Sequence, residues 1–379
     1  YVVINDAQLK AQHAQDGRYL LVEDGVLALQ ALARHHLAQL ECPVIAIAGS
    51  NGKTTYKDLL HRTLAQQYQE LSTRGNLNNH LGVPLSVLSL TPAHELAILE
   101  LGANHLGETR FLSALLQPQY GVVTNCGKDH LGEYGSVENI ERANQELYEV
   151  LEEGGGLAFV HADDPTLMRL SQKVGRRLLY GSREAVRVEV LEVPFLKLRL
   201  WLQEQAVASS TQLFGAFWAE TLLGVAAVGQ HLGVAPPAIQ AALEGYRPAA
   251  LRSEQRQWRN NHLLLDCYNA NPSSMQVFLD AVQSGGVVGD KVLILGEMAE
   301  LGAYSDAEHR ALLAAIAVEQ YRAVWVVGAV FEGLEMPVGI GHCRTTAAMR
   351  TQLLAAAYAD CTIFVKGSRS NRLEQLFDE

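Results

Sequence analysis

The apolar run Pro-Val-Ile-Ala-Ile-Ala at residues 43–48 leads directly into Gly49-Ser50-Asn51-Gly52-Lys53-Thr54-Thr55, where a helical pattern begins. Strand, glycine-rich turn, Lys-Thr and helix make a cradle for a triphosphate. Glycines let backbone N–H groups approach phosphate oxygens, and the helix N-terminus adds a favourable dipole. The lysine reaches the terminal phosphates, and the threonine hydroxyl ligates Mg2+. Gly49, Gly52, Lys53 and Thr54 fit these places. The strict pattern, Gly-x-x-x-x-Gly-Lys-Ser/Thr, asks for glycine at position 47; this chain has Ile47, so the loop is a variant. The alternative is a plain strand-to-helix turn rich in small residues.

The surrounding sequence must position that loop. Further apolar runs at residues 96–101 and 120–124 have helical sequence between them, and this alternation predicts a parallel sheet covered on both faces. Upstream, residues 1–4 read as a buried strand and 19–23 as a second strand, with a helix over 25–40 carrying Leu27, Leu29, Leu32 and Leu37. From 187 to 212 the period changes to two: Val188, Val190, Leu196, Leu198, Leu200 and Leu202 predict antiparallel hairpins. Helices are expected again at 216–232 and after Pro236-Pro237. Tyr246-Arg247-Pro248 reads as a hinge, beyond which residues 263–267, 291–295, 323–327 and 361–365 read as strands of a second α/β unit.

Bulk properties narrow the function classes. The 379 residues suggest two or three domains at roughly 150 residues each. A net charge of -11 gives no overall footprint for nucleic acid, so a polyanion would need a local site. Cys42, Cys126, Cys267, Cys343 and Cys361 are scattered, with no metal-binding or redox spacing, which points to reduced thiols and a cytoplasmic location. No apolar run approaches the ~18 residues of a membrane span, and no export signal is visible. The chain opens with Tyr1 in a strand-like run, which predicts that the sequence starts inside a domain.

The loop resembles the nucleotide loop of the Mur ligase and folylpolyglutamate synthase superfamily. Further segments resemble Mur ligases in particular: Thr73-Arg74-Gly75-Asn76-Leu77-Asn78-Asn79, Glu100-Leu101-Gly102-Ala103-Asn104-His105, and Thr124-Asn125 with Asp129-His130-Leu131. Later ones are Asp266-Cys267-Tyr268-Asn269-Ala270-Asn271-Pro272, the run from Leu295 through Glu297 and Glu300 to Gly302, and Lys366-Gly367-Ser368-Arg369. Order and spacing agree along nearly the whole chain. The resemblance implies an α/β protein with a central P-loop parallel-sheet ATPase domain (43–247), a C-terminal Rossmann-like α/β domain (248–379) and the remnant of an N-terminal α/β domain (1–42).

It also implies a chemistry. ATP activates the carboxylate of a UDP-linked muramoyl tripeptide as an acyl phosphate, and the amine of D-alanyl-D-alanine displaces phosphate, a reaction of peptidoglycan and cell-wall biosynthesis. The nucleotide is assigned Gly49, Ser50, Asn51, Gly52, Lys53, Thr54 and Thr55, with Asn271, Arg252 and Asp266 arriving from the C-terminal domain. Lys53, His130 and Glu100 are the implied catalytic group, and Thr54, Glu100 and His130 the implied Mg2+ ligands. Asn76, Asn78, Asn79, Glu297, Glu300, Lys366 and Ser368 fall on the substrate side. A monomer that closes its domains is expected, with no nucleic-acid partner.

Three departures stand against that pattern. Asn144 occupies the place of a family lysine that, often carbamylated, helps place Mg2+. Trp218 and Thr221 replace two asparagines that sit near the nucleotide base, and Ala249-Ala250 precede Arg252 where asparagines are common. They keep open a weakly active or non-catalytic nucleotide-binding scaffold. A sibling ligase, such as a folylpolyglutamate synthase, is the other alternative.

Overall fold

The structure, a computed structural model, describes residues 1–13, 16–284 and 286–378. At its centre is a six-stranded, wholly parallel sheet in the order Glu70–Ser72, Leu96–Glu100, Val44–Ala48, Tyr120–Val123, Leu157–His161, Arg177–Tyr180. Every residue of Val44–Ala48 is buried, and its side chains alternate between two cores. Ile45 and Ile47 enter the core shared with the helices Lys53–Leu64 and Trp218–His231. Val44, Ala46 and Ala48 enter the core shared with Glu108–Leu116 and Val137–Gly154. This double covering is why the strand reads as a continuous apolar run rather than an alternating one.

The two-residue alternation after residue 187 forms a three-stranded antiparallel sheet of Arg187–Glu192, Phe195–Leu202 and Gln205–Phe214, with Phe195–Leu202 in the middle. Leu196, Leu198, Leu200 and Leu202 are fully buried and extend the first of those cores.

A second six-stranded sheet follows, in the order Glu254–Trp258, Asn261–Asp266, Cys361–Lys366, Asp290–Gly296, Ala323–Val327, Ile340–Cys343. Its first pair is antiparallel and the rest are parallel. Leu264, Leu293, Leu295 and Phe364 face the helices Pro272–Gln283 and Ser305–Ala314, while Leu263, Leu265, Ile294 and Ile363 face Thr346–Ala356. The antiparallel edge Glu254–Trp258 and the four-residue Ile340–Cys343 were not among the expected strands.

At the N-terminus, Val2–Ile4 and Tyr19–Leu21 pair in parallel as a two-stranded sheet. The expectation of a buried strand at residues 1–4 is corrected: Val2, Val3, Leu20 and Leu21 are 46–49% exposed, and the six-residue helix Ala7–Gln12 that packs on the pair buries none of its own residues. The helix Gly25–Ala38 starts on Asp24, whose carboxylate accepts the N–H of Val26 and Leu27. It docks on the central unit through buried Ala33 and the Gln30 amide, which donates to His80 O at 3.1 Å. Among the described residues, all five cysteines are free and no helix is long and apolar enough to cross a membrane.

Candidate functional site

The carboxyl ends of strands from both six-stranded sheets open on one cavity of about 910 Å³. Strand ends are where α/β sheets place their ligands. On the central side, Gly49 (φ +123°) and Gly52 (φ +79°) turn the chain from strand to helix. A Cβ at Gly49 would fall 2.1 Å from Thr124 Oγ1 and 2.7 Å from Thr124 N, so close packing and backbone conformation both require glycine there.

The neighbouring strand end pins the loop. Thr124 Oγ1 donates to Asn51 O at 2.7 Å, Asn125 Nδ2 donates to the same oxygen at 3.0 Å, and Asn125 Oδ1 accepts the Asn51 N–H at 3.1 Å. Lys53 Nζ donates to Gly49 O at 2.5 Å and Ser50 O at 3.3 Å. Its charge therefore lies over the loop it follows.

Glu100 ends the strand Leu96–Glu100 and is only 2% exposed. Its two oxygens are divided: Oε2 accepts Thr54 Oγ1–H at 3.0 Å, and Oε1 accepts Asn78 Nδ2–H at 2.9 Å. Thr73 Oγ1 accepts the Glu100 backbone N–H at 2.9 Å, fixing the base of the side chain. A hydroxyl and a carboxylate at the mouth of a phosphate loop suit a hard divalent cation that takes its other ligands from phosphate and water.

Thr54, Glu100 and His130, the expected Mg2+ set, line the same cavity. His130 also lies against Glu300 of the C-terminal sheet's loop, Nδ1 to Oε2 2.7 Å, an ion-pair approach off hydrogen-bond alignment. Burial pulls the His130 pKa down, but the Glu300 and Asp129 carboxylates outweigh it and the net shift is upward. Contact with His130 holds Glu300 below the usual carboxylate range.

The opposite wall is built from side chains. Asp266 and Lys366 end adjacent parallel strands in register, and Lys366 Nζ donates to Asp266 Oδ2 at 2.7 Å. The lysine side chain is 3% exposed and the aspartate 21%. Asp266 Oδ1 also accepts the Ser253 N–H at 3.1 Å. The Arg252 guanidinium stacks on the Tyr268 ring at 3.8 Å, which holds it at the cavity.

Further contacts, beside that of His130 with Glu300, bridge the walls. Asn271 Nδ2 donates to Asn51 Oδ1 at 2.7 Å, the Lys128 N–H donates to Ser273 Oγ at 2.8 Å, and Lys128 Nζ donates to Glu308 Oε1 at 2.7 Å.

Of the residues singled out from sequence, Ser50, Asn51, Gly52, Lys53, Thr54, Thr55, Asn76, Asn78, Asn79, Glu100, His130, Arg252, Asp266, Glu300 and Lys366 line the cavity. Gly49 and Asn271 stand behind the lining, one shaping the loop and the other bridging to it. Glu297 and Ser368 do not line it. Glu297 Oε2 accepts the Val330 N–H at 3.4 Å, and Ser368 Oγ accepts the Ala299 N–H at 2.8 Å, so both brace loops rather than face a ligand. Asn144 is also absent from the lining; its amide donates to Ile140 O, one turn back in its own helix, at 3.0 Å.

Sequence reasoning gave no role to Tyr268, Ser273 or Lys128. Tyr268 lies two residues past Asp266, a spacing that could have marked it as Asp266's neighbour. Cys126 also lines the cavity, but burial pushes its thiol up to about 12, so it stays protonated and is a poor nucleophile.

A glycine-rich phosphate loop on one parallel sheet, facing charged strand ends of a second sheet across a shared cavity, defines a two-sheet nucleotide-site protein. Comparison with known families agrees. The profile described as "Mur ligase middle domain" matches residues 47–229, and "Mur ligase, glutamate ligase domain" matches residues 252–369. A relative from Escherichia coli, UDP-N-acetylmuramoyl-tripeptide–D-alanyl-D-alanine ligase, is 32% identical over 94% of this chain and 81% of its own. The crystal structure of MurF from Acinetobacter baumannii superposes with a TM-score of 0.86 at 30% identity, covering 94% of this chain and 81% of that one. The MurF ligase of Thermotoga maritima, solved in complex with ADP, shares the fold with a TM-score of 0.83 at 24% identity, over 95% and 84% of the two chains. The chain belongs to the Mur ligase family.

Proposed function

We propose that this chain is an ATP-dependent ligase that joins D-alanyl-D-alanine to a UDP-N-acetylmuramoyl-tripeptide in peptidoglycan precursor synthesis. It would work as a monomer with units at residues 1–42, 43–247 and 248–379. The observation that carries this reading is Glu100, buried at a strand end and shared between the phosphate-loop hydroxyl of Thr54 and the amide of Asn78. Support comes from the reaction named for the Escherichia coli relative.

In the first step the tripeptide carboxylate attacks the γ-phosphorus of ATP, the bond to the β,γ-bridging oxygen breaks, and ADP leaves an acyl phosphate behind. In the second, the dipeptide amine attacks the acyl carbon, phosphate departs, and the nitrogen gives up a proton as the amide forms. The protein's part is positioning and charge. The N–H groups of residues 52–55, at the start of the helix Lys53–Leu64, and the Lys53 ammonium hold the β- and γ-phosphates. Arg252 meets the same charge from the facing wall. Thr54 Oγ1 and Glu100 Oε2 are the fitting ligands for Mg2+, which neutralises phosphate charge when bound. Asn76, Asn78 and Asn79 on one wall and Lys366 and Glu300 on the other are placed to meet the two peptides, and closure keeps water from the acyl phosphate.

The test is phosphate release and product mass with ATP, Mg2+, the tripeptide nucleotide and D-alanyl-D-alanine. A product heavier by the dipeptide less one water is expected. ATP binding without phosphate release would overturn the ligase reading in favour of a nucleotide-binding scaffold. That second reading is favoured by Asn144, whose amide is turned onto its own helix. Asn144→Lys should raise the rate of a ligase and leave a scaffold unchanged.

A further inference from the structure

Among the described residues the buried lysines are Lys57 and Lys366. Lys366 lines the cavity and Lys57 does not. Lys57 sits on the helix Lys53–Leu64, one turn after Thr54 and so on the same face. It is 4% exposed, and burying an ammonium is costly unless its charge is met. Its Nζ donates to Thr73 O at 2.8 Å and lies 2.9 Å from Asp58 Oδ1.

Thr73 follows the edge strand Glu70–Ser72, and its N–H donates to Ile98 O at 3.0 Å, continuing the parallel ladder by one rung. The matching rung would run from the Glu100 N–H to Thr73 O. Instead the Thr73 hydroxyl takes that N–H at 2.9 Å, and Thr73 O turns to Lys57. Thr73 is 1% exposed, so each of its polar groups depends on the partner it has. A ring results: Thr54 Oγ1 to Glu100 Oε2, Glu100 N–H to Thr73 Oγ1, Thr73 O to Lys57 Nζ, and one helical turn from Lys57 back to Thr54. Without the ammonium, Thr73 O is left to reclaim the Glu100 N–H, which would shift the strand end that carries the carboxylate.

We propose that Lys57 is a positioning residue: by holding Thr73 O it fixes the Glu100 carboxylate opposite Thr54 for Mg2+. This rests on the reading of residues 49–55 as a nucleoside triphosphate loop with Thr54 and Glu100 among its metal ligands. Lys57 touches neither nucleotide nor metal. It therefore governs how much Mg2+ adds to binding and leaves the phosphate cradle as it is.

Calorimetry on the full chain, with ATP in Mg2+ and ATP in EDTA, tests it. The ratio of the two affinities measures what the metal adds. Lys57→Met should cut that ratio about tenfold, on the scale of one charge-assisted hydrogen bond, and leave binding in EDTA unchanged. Thr73→Val should cut it alike, and Thr73→Ser should keep it. Lys57→Met combined with Thr73→Val should be little worse than either alone, since both break one ring. The inference is overturned if Lys57→Met leaves the ratio unchanged. It is also overturned if Lys57→Met weakens ATP equally in Mg2+ and EDTA, since the lysine would then only support the helix. Thr73→Val leaves Lys57 in place, and an unchanged ratio there overturns the ring even if Lys57→Met does not fold. If the parent itself gains nothing from Mg2+, the reading of Thr54 and Glu100 as metal ligands falls too, an outcome the parent alone reveals.

Discussion

On the central-sheet wall, the groups that meet a ligand are largely main-chain N–H groups of residues 52–55, at the end of a loop fixed from behind by Thr124 and Asn125. On the C-terminal-sheet wall they are side chains: Lys366 paired with Asp266, and Arg252 stacked on Tyr268. A backbone cradle is specified by glycines and by what cannot be added to them, as the 2.1 Å approach at Gly49 illustrates. A side-chain wall is specified by pairs, each of which fails when either partner changes. The first wall should therefore lose function sharply at one lysine while keeping its fold, and the second should lose stability along with function.

The largest effect expected is at Lys53. Lys53→Ala should lower kcat/KM by on the order of 10²–10³-fold, the usual scale for removing one group that stabilises transition-state charge, with little change in unfolding midpoint. Steady-state kinetics and denaturant melts together check this, and a large drop in stability would break the contrast.

Lys366→Met should do the reverse on the other wall. It leaves Asp266 half of a largely buried ion pair, at a cost of about 3 kcal/mol, the low end for breaking such a pair since Asp266 keeps some water contact. Guanidinium unfolding should show it as a lower midpoint with an unchanged slope.

The bridge between the walls is weaker. Asn271→Ala removes both the Asn51 hydrogen bond and the cap on Pro272–Gln283, about 1 kcal/mol for the cap alone. Asn271→Asp keeps the cap but sets a carboxylate oxygen against Asn51 Oδ1, so its melting loss, compared with the alanine variant, isolates the bridge.

The smallest effect is a pH dependence at the His130–Glu300 contact. The raised His130 pKa means its stabilisation is complete below the usual histidine range and is lost as pH rises through the raised value. The lowered Glu300 pKa means its share is present above the usual carboxylate range and is lost as pH falls through the depressed value. Melting temperature should therefore decline on the alkaline side of that window in the parent, and Glu300→Gln should flatten the decline. Parallel pH profiles would remove this contact from the account of closure.

Much of this was legible in the sequence, for reasons that also mark the limit. The strand Val44–Ala48 and the alternation of Leu196 to Leu202 announce themselves because burial on two faces, or on one, writes its own period into the chain. Loop chemistry at Gly49, Gly52 and Lys53 is local and so readable. Exposure of Val2 and Val3 was not, since periodicity reveals a strand but not whether anything covers it. The strand Ile340–Cys343 has four residues, too few to establish a period. Where Asn144, Glu297 and Ser368 point depends on carbonyls and N–H groups brought to them by the fold, which spacing along the chain does not encode.

The strand Cys361–Lys366 lies between Asn261–Asp266 and Asp290–Gly296, although it comes last of the six in the chain. During synthesis the earlier strands must wait, with two flanks of main-chain donors and acceptors open, until residue 366 has left the ribosome. Asp266 meets Lys366 across a separation of 100 residues. Such long-range pairing is slow to nucleate, and it leaves a sticky, half-built sheet exposed in the meantime. The C-terminal wall is therefore made only after translation has passed that point, and a nascent chain stalled before it would carry a finished phosphate loop with nothing facing it.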